Sequence, residues 1–223
     1  MKRRQFTALA ATATATLGLG LQRVAFAQAT TPVTAADYQK LGTAIPVSTP
    51  PGTVDVVEFF SFACPHCNEF EPVLESWLKT KPAYIRFRRS PVPFLMNFRN
   101  FQPMYFAMET LGLTDTMQQK VFDAVHKEHV RFDTPDQIAA FMEKNGVDAK
   151  KFMGVYSSFG NGVKVTQGNQ LFQATGADGV PTLMVGGRFL TSPTIVKTSS
   201  IPESERKTLV TIETLAAQIH AGH

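Results

Sequence analysis

Residues 54–67 of this 223-residue chain read VDVVEFFSFACPHC. The first part, Val54 to Phe62, is almost wholly β-branched or aromatic and is interrupted by Asp55 and Glu58. Such a run predicts a central β-strand that is covered on both faces. The strand leads directly into Cys64-Pro65-His66-Cys67. The stretch therefore predicts a strand that delivers a cysteine pair to the start of the next element.

The residues after the cysteines predict a helix and then a second strand. Apolar side chains recur at helical spacing and form one stripe of Phe70, Val73, Leu74, Trp77 and Leu78. Pro72 lies within this helix and is expected to kink it. Tyr84 to Arg88 alternates in polarity and predicts a strand that is ended by Pro91 and Pro93.

Residues 97–176 change the pattern to short helices with readable ends. The run Thr134-Pro135-Asp136-Gln137, for example, predicts a capping box at the start of one of them. A hairpin and a closing helix follow, with predicted ranges Thr182 to Val185, Arg188 to Leu190 and Glu205 to Ile219. This order of elements predicts an α/β fold with an inserted helical domain.

The domain organisation follows from this order. Neither flank of the helical segment completes a sheet alone, so residues 44–96 and 177–223 are predicted to form one discontinuous α/β domain. Residues 97–176 are then the inserted helical domain. Residues 28–43 are rich in Ala, Thr and Pro and show no clear period. They are interpreted as a flexible N-terminal arm.

The first 27 residues predict a cleaved export signal. Met1-Lys2-Arg3-Arg4 precedes a moderately apolar stretch, and Ala25-Phe26-Ala27 fits the small-x-small pattern of a signal-peptidase site. A retained anchor helix is the weaker interpretation, because the stretch is short and is interrupted by Arg23. We therefore expect the mature protein in the periplasm, and the sequence leaves Sec and twin-arginine export open.

Cleavage after Ala27 also changes the charge of the chain. It removes four of the 22 Lys and Arg residues and none of the 18 Asp and Glu residues, so the formal net charge falls from +4 to zero. A nucleic-acid-binding protein would keep a basic surface in its folded part. The composition therefore argues against nucleic acid as a partner.

The chain has only two cysteines, and they lie two residues apart. In an exported protein this points to a working redox pair. At the N-terminus of a helix, unpaired N–H groups and the helix dipole stabilise a thiolate on Cys64. Cys67, one turn further in, can reach Cys64 and close a disulfide. We expect Cys64 to be the exposed nucleophile and Cys67 the partly buried resolving thiol.

The two residues between the cysteines favour the same chemistry. Pro65 fits the first turn of a helix, where its missing N–H costs nothing. His66 adds a donor, and when protonated a positive charge, close to the sulfur of Cys64. Because a stabilised thiolate stabilises the reduced pair, the disulfide becomes a stronger oxidant. The dipeptide therefore predicts a disulfide donor.

Two other interpretations of the cysteines stay open. The pair could be a static structural disulfide, although so short a loop stabilises a fold little. Alternatively, His126 and His129 lie at i and i+3 and could complete a zinc site with the two cysteines. No cofactor beyond the redox-active disulfide is expected.

Two further positions are candidates for the site. Glu58 lies on the strand side shared by Val54 and Val56, and a buried carboxylate there could exchange a proton with Cys67; an exposed edge glutamate is the alternative. Val180-Pro181 precedes the third strand. It either only starts that strand or forms a cis bond that leaves the neighbouring backbone free to pair with a substrate peptide.

These residues closely resemble the DsbA family, the periplasmic thiol-disulfide oxidases of Gram-negative bacteria. The resemblance rests on Phe59 to Cys67, on Glu58 ahead of it, on the helical insertion and on Gly179-Val180-Pro181. It covers essentially the whole mature chain. It implies a thioredoxin fold with an inserted all-helical domain, a lowered pKa of the attacking cysteine and an oxidising disulfide.

The resemblance also implies roles for individual residues. They are the attacking, substrate-linked sulfur of Cys64, the buried partner Cys67, the tuning residue His66, the proton carrier Glu58, and the substrate-binding loop at Val180 and Pro181. The sequence departs from better-known members at Asn68 and Thr182. These departures leave substrate range and partner fit open.

The resemblance implies partners as well. They are reduced exported proteins as substrates and a DsbB-type quinone-linked membrane protein that reoxidises the cysteine pair. We predict a monomer. Two alternatives to a disulfide donor stay open at the sequence level: a periplasmic reductase or isomerase, and a non-catalytic chaperone that binds peptides near Pro181.

Overall fold

The computed structural model describes residues 32–222, so the predicted export signal lies outside the described range. Within this range the strands form one sheet in the order β1-β5-β4-β2-β3. The strands are β1 (Gln39–Lys40), β2 (Val54–Phe60), β3 (Ile85–Pro91), β4 (Thr182–Val185) and β5 (Phe189–Thr191). No helix among the described residues has the length and apolar character needed to cross a membrane.

Eight α-helices accompany the sheet in the described residues. They are α1 (Pro65–Leu78), α2 (Phe98–Thr110), α3 (Thr114–His126), α4 (Pro135–Lys144), α5 (Ala149–Tyr156), α6 (Phe159–Thr175), α7 (Pro193–Val196) and α8 (Ile201–Ala221). Helices α2–α6 lie between β3 and β4 in the chain, which confirms the predicted helical insertion in an α/β fold. The division into two domains stays a prediction.

Strand β2 is the central element of the sheet, as its apolar sequence predicts. All seven of its residues are buried. It pairs in parallel with β3, where Glu58 lies opposite Arg89, and antiparallel with β4, where Phe59 lies opposite Thr182. The strand ends at Phe60, two residues earlier than predicted, because the chain turns through residues 61–64 into α1.

Three apolar clusters surround this strand. On one face, α1 and α8 pack against Val54 and Val56. On the other face, Phe172 of α6 packs against Phe59. The third cluster joins the helical insertion to the end of β2 and contains Phe60, Phe62 and both cysteines. The cysteine pair therefore lies where the sheet, α1 and the inserted helices meet.

The interpretation of residues 28–43 as a flexible arm is wrong for its second half. Residues 35–37 form a short 3₁₀ helix, and β1 pairs antiparallel with β5. Long-range polar contacts hold this segment: Thr191 Oγ1 donates to the Asp37 carbonyl oxygen at 2.8 Å, and Lys207 Nζ lies 2.8 Å from Asp37 Oδ1. A two-residue strand is too short to show a period, so the pattern missed it.

The helix ends show where local signals suffice. The capping box of α4 is confirmed, with Gln137 N donating to Thr134 Oγ1 and the Gln137 side chain accepting from Thr134 N. Helix α3 begins at Thr114, and its N-cap residue, Leu113, makes no side-chain hydrogen bond to the helix. Ser158 caps helix α6, since its Oγ accepts a hydrogen bond from Asn161 N at 3.2 Å.

Candidate active site

Cys64 is the N-cap of α1, and Pro65 occupies the first turn. The residue is 6% exposed, whereas Cys67, one turn further along, is fully buried. Cys64 was expected to be exposed, and it is instead largely covered. Both cysteines are thiols in this structure. The two sulfurs still differ in access, because only Cys64 has accessible surface.

The surroundings of Cys64 stabilise its thiolate. The Cys67 thiol donates to it, and the backbone N–H groups of Cys67 and His66 add two further donors. Together they lower the pKa of Cys64 to about 6, against the opposing effect of burial. Donors at the first turn of a helix act on an anion in this way. Cys64 is therefore mostly a thiolate at neutral pH.

Cys67 has the opposite environment. Burial is the main cause that raises its pKa well above that of a free cysteine, and the neighbouring Cys64 and Glu58 add to the effect. A thiol with a raised pKa is a poor leaving group unless it receives a proton. The site therefore contains one stabilised thiolate and one thiol that needs a proton donor.

His66 lies on the surface, with its side chain 63% exposed. Its Nδ1 is 2.9 Å from Glu69 Oε2, and this contact raises the pKa of His66. The sequence predicted a side-chain donor close to the sulfur of Cys64. The donor is instead the backbone N–H of His66, and the imidazole acts on Cys64 only through its charge.

The loop before β4 faces Cys64 from across the site. When Cys64 is protonated, its thiol donates to the Val180 carbonyl oxygen at 3.5 Å, and the Val180–Pro181 peptide bond is cis. Thr182, the first residue of β4, donates through its hydroxyl to the Gly179 carbonyl oxygen at 2.8 Å. This loop therefore presents a backbone carbonyl to the reactive sulfur.

Glu58 is buried, which favours the first of the two sequence interpretations. Its Oε2 accepts from Arg89 Nε at 2.9 Å. Burial is the main cause that raises the pKa of Glu58 to about 7, and the opposing effect of Arg89 is smaller. At neutral pH this carboxyl group is therefore partly protonated, and it is close enough to act on the pKa of Cys67.

Arg89 holds two more carboxylates that the sequence analysis missed. Its Nη2 lies 3.1 Å from Glu71 Oε1 and 2.8 Å from Glu75 Oε1. Burial raises the pKa of Glu71 to about 8, and its Oε2 has no hydrogen-bond partner among the described residues. The guanidinium group of Arg89 thus contacts three carboxyl groups. The predicted strand stopped at Arg88, so it hid the pairing of Arg89 with Glu58.

The residues proposed for a zinc site do not come together. His126 Nε2 donates to the Phe62 carbonyl oxygen at 2.8 Å, and His129 lies beyond the end of α3 with a positive φ of 56°. Among residues 32–222 no group of three or more His, Cys, Asp or Glu side chains is placed to hold a metal ion. His126 instead ties the helical insertion to the segment that precedes Cys64.

Comparisons with known proteins identify the family of the chain. The model of the family "DSBA-like thioredoxin domain" matches residues 55–202. The Burkholderia cepacia thiol:disulfide interchange protein DsbA is 39% identical over 187 residues, which are 83% of this chain and 87% of that protein. The Pseudomonas aeruginosa PAO1 protein of the same name is 36% identical over 69% of this chain and 72% of its own length.

Solved structures give the same result. The crystal structure of Pseudomonas aeruginosa DsbA has a TM-score of 0.75 and is 31% identical. The match covers 83% of this chain and 94% of that one. The predicted thioredoxin fold with a helical insertion is thereby confirmed.

Proposed function

The chain belongs to the DsbA-like thioredoxin domain family and is a protein disulfide oxidoreductase, and we propose that it acts as a disulfide donor. In this proposal the oxidised Cys64–Cys67 pair accepts two electrons from a substrate dithiol. The alternatives, a reductase or isomerase, require a pair that is kept reduced. The proposal therefore concerns the direction of electron transfer, from the substrate to the cysteine pair.

The contrast between the two cysteines supports this direction. The pKa of Cys64 is lowered to about 6, and that of Cys67 is raised by burial. Hydrogen bonds to the Cys64 thiolate exist only in the reduced protein, so they stabilise the reduced pair relative to the disulfide. A cysteine pair that is stable in the reduced state is a strong oxidant when it forms the disulfide.

The first step is attack by a substrate thiolate on the sulfur of Cys64. A bond forms between the two sulfurs, the Cys64–Cys67 bond breaks, and Cys67 leaves with the electron pair. Its pKa is raised, so it takes a proton, and Glu58 is the buried group that supplies it. Cys64 is attacked in preference because Cys67 is fully buried.

The second step releases the product. Another substrate thiolate attacks the substrate sulfur of the mixed disulfide, and Cys64 leaves as a thiolate with the electron pair. Its lowered pKa makes it a good leaving group at neutral pH. The backbone at Val180 and Pro181 positions the substrate chain beside Cys64 in both steps.

The setting of this reaction is the periplasm. The signal-like first 27 residues and the family membership support export, and reduced exported proteins are the substrates. A DsbB-type quinone-linked membrane protein would remove the two electrons from the reduced pair. In our proposal the disulfide is the only redox group that the protein needs.

Trapping of the intermediate tests this function. In the Cys67→Ser protein, Cys64 is first converted to a mixed disulfide with a small thiol, and a peptide with one reduced cysteine should then displace that thiol and accumulate a one-to-one peptide adduct that mass spectrometry locates at Cys64. The parent, preoxidised, should oxidise a reduced dithiol peptide, and Cys64→Ser should not. Peptide oxidation by Cys64→Ser at the parent's rate would refute the assignment.

A further inference from the structure

A small cavity of about 230 Å³ lies beside the cysteine pair. His66 and Pro181 form the wall next to Cys64. The remaining wall includes Pro193 of α7 and Ile201 at the start of α8, which is 55% exposed. The cavity is smaller than the roughly 300–1,000 Å³ of a typical small-molecule site. Its size therefore suits a single amino-acid side chain.

Glu205, in the second turn of α8, also lines this cavity. It is only 5% exposed, and it makes no hydrogen bond or ion pair with any residue in the described part of the chain. Burial raises its pKa, and Glu69 adds to that effect. Its carboxylate oxygens are not among the fully enclosed, unpartnered polar atoms of the described residues, so they stay accessible from the cavity and can bind a cation there.

The neighbouring charges do not satisfy Glu205. Arg206 is exposed and makes no ion pair among the described residues. His66 is paired with Glu69 at 2.9 Å. The charges of Arg206 and His66 partly oppose the rise in the pKa of Glu205, but neither side chain binds its carboxylate, so the acidic side of the cavity has no directly bound counter-ion.

We propose that this cavity binds a Lys or Arg side chain that lies close to the reacting cysteine of a substrate. The aliphatic stem of such a side chain packs against Pro181, Pro193 and Ile201, as long basic side chains do on apolar surfaces. Its cationic end binds Glu205. An apolar side chain would fill the same space but leave the carboxylate desolvated and unpaired, so the cavity discriminates against it.

This inference rests on the proposed function and narrows its substrate class. The preferred substrates are reduced proteins with a basic residue near the cysteine that attacks Cys64. Glu205 is in this account a specificity residue, because it touches the substrate away from the reacting sulfurs. Its removal should change the choice between substrates and leave the disulfide chemistry intact.

A series of short dithiol peptides tests the inference. Each peptide carries one Lys at a different position near the reacting cysteine, and each has a matched peptide with norleucine there. The ratio of kcat/KM for the Lys peptide to that for the norleucine peptide is measured with the parent and with Glu205→Gln. For at least one position we expect this ratio to be about tenfold larger in the parent than in Glu205→Gln. A tenfold change corresponds to the free energy of one hydrogen bond to a charged group.

The control is Glu203→Gln, which removes a carboxylate from the same helix but outside the cavity. It should keep the parent's ratio and the parent's rates with norleucine peptides, whereas Glu205→Gln should oxidise norleucine peptides somewhat faster, because no charged group is left to be desolvated. Equal ratios in parent and Glu205→Gln at every position would overturn the inference while leaving the oxidase function intact. Failure of the parent to oxidise any peptide would instead overturn the proposed function.

Discussion

At the scale of single residues, Cys64 and Cys67 lie one helical turn apart and have oppositely shifted pKa values. Cys64 lies at the N-cap, where backbone donors lower its pKa to about 6. Cys67 lies one turn inside, where burial raises its pKa. The Cys-Pro-His-Cys motif was sufficient to predict this contrast. It could not show that His66 acts mainly through its backbone, because side-chain direction depends on the contact with Glu69.

The separate effects of the His66 backbone and side chain predict different pKa values of Cys64 in two variants. His66→Ala removes the imidazole charge but keeps the N–H, so it should raise the pKa of Cys64 slightly. His66→Pro also removes the N–H donor and should raise it further. The ultraviolet absorbance of the thiolate, followed against pH, measures both. An equal pKa in the two variants would contradict a role for the backbone donor.

A second prediction concerns Glu58 as proton donor. Its pKa of about 7 means that the protonated form is lost as pH rises through neutrality. Below about pH 6 the parent should therefore react with a thiol peptide about tenfold or more faster than Glu58→Gln, and the difference should shrink above about pH 8. Stopped-flow rates of the first step measure it, on oxidised protein.

The control for this experiment is Glu71→Gln, which removes another carboxyl group from Arg89. It should keep the rate advantage over Glu58→Gln at low pH and lose that advantage at high pH, although at a shifted midpoint. A parent-to-Glu58→Gln ratio that does not change with pH would remove Glu58 from the mechanism.

At the scale of elements, β2 and α1 bring three carboxyl groups to Arg89 of β3. The parallel register sets Arg89 opposite Glu58, and Glu71 and Glu75 lie one turn apart on α1. The pattern predicted both elements but missed this cluster, because a strand ending at Arg88 excludes the residue that joins them. Two-residue β1 and four-residue α7 were also missed, since neither is long enough to show a period.

The cluster predicts how stability depends on pH. The pKa of Glu71 is raised to about 8, so the folded protein binds its proton more tightly than the unfolded chain does. This contribution to the free energy of unfolding is fully present below the unfolded pKa and is lost as pH rises through about 8. Denaturant unfolding of the oxidised protein should therefore show a smaller loss between about pH 5 and 8 in Glu71→Gln than in the parent.

Glu143→Gln is the matched control, since Glu143 is exposed on α4 and lies outside the cluster. It should follow the parent's curve. The same slope in Glu71→Gln and in the parent would show that the buried carboxyl group is not the source of the pH dependence.

At the scale of the whole molecule, the cysteine pair joins the sheet to the inserted helices. Phe60, the last residue of β2, and Phe62, just after it, pack with Phe101 and Phe122 of the insertion. The sequence predicted the insertion from its change of period. It could not predict that the two parts share a core at the active site, because contacts between distant segments leave no local pattern.

A shared core predicts that the two parts unfold together. Trp77, the single tryptophan, lies between α1 and the sheet and reports on that part. Far-ultraviolet circular dichroism is dominated by the helices. Urea transitions followed by the two signals should coincide. Phe62→Ala should lower the free energy of unfolding obtained from each signal by about 3–5 kcal/mol. Two separated transitions would mean that the insertion is stable alone.

The central claim is that the Cys64–Cys67 disulfide is donated to substrates, and the redox midpoint of the mature protein tests it most directly. The protein is equilibrated in glutathione buffers of graded ratio, and its free thiols are counted at each ratio. We predict a midpoint above about −180 mV, whereas the midpoint of thioredoxin is about −270 mV. A midpoint near that of thioredoxin would contradict the account and make the protein a reductase.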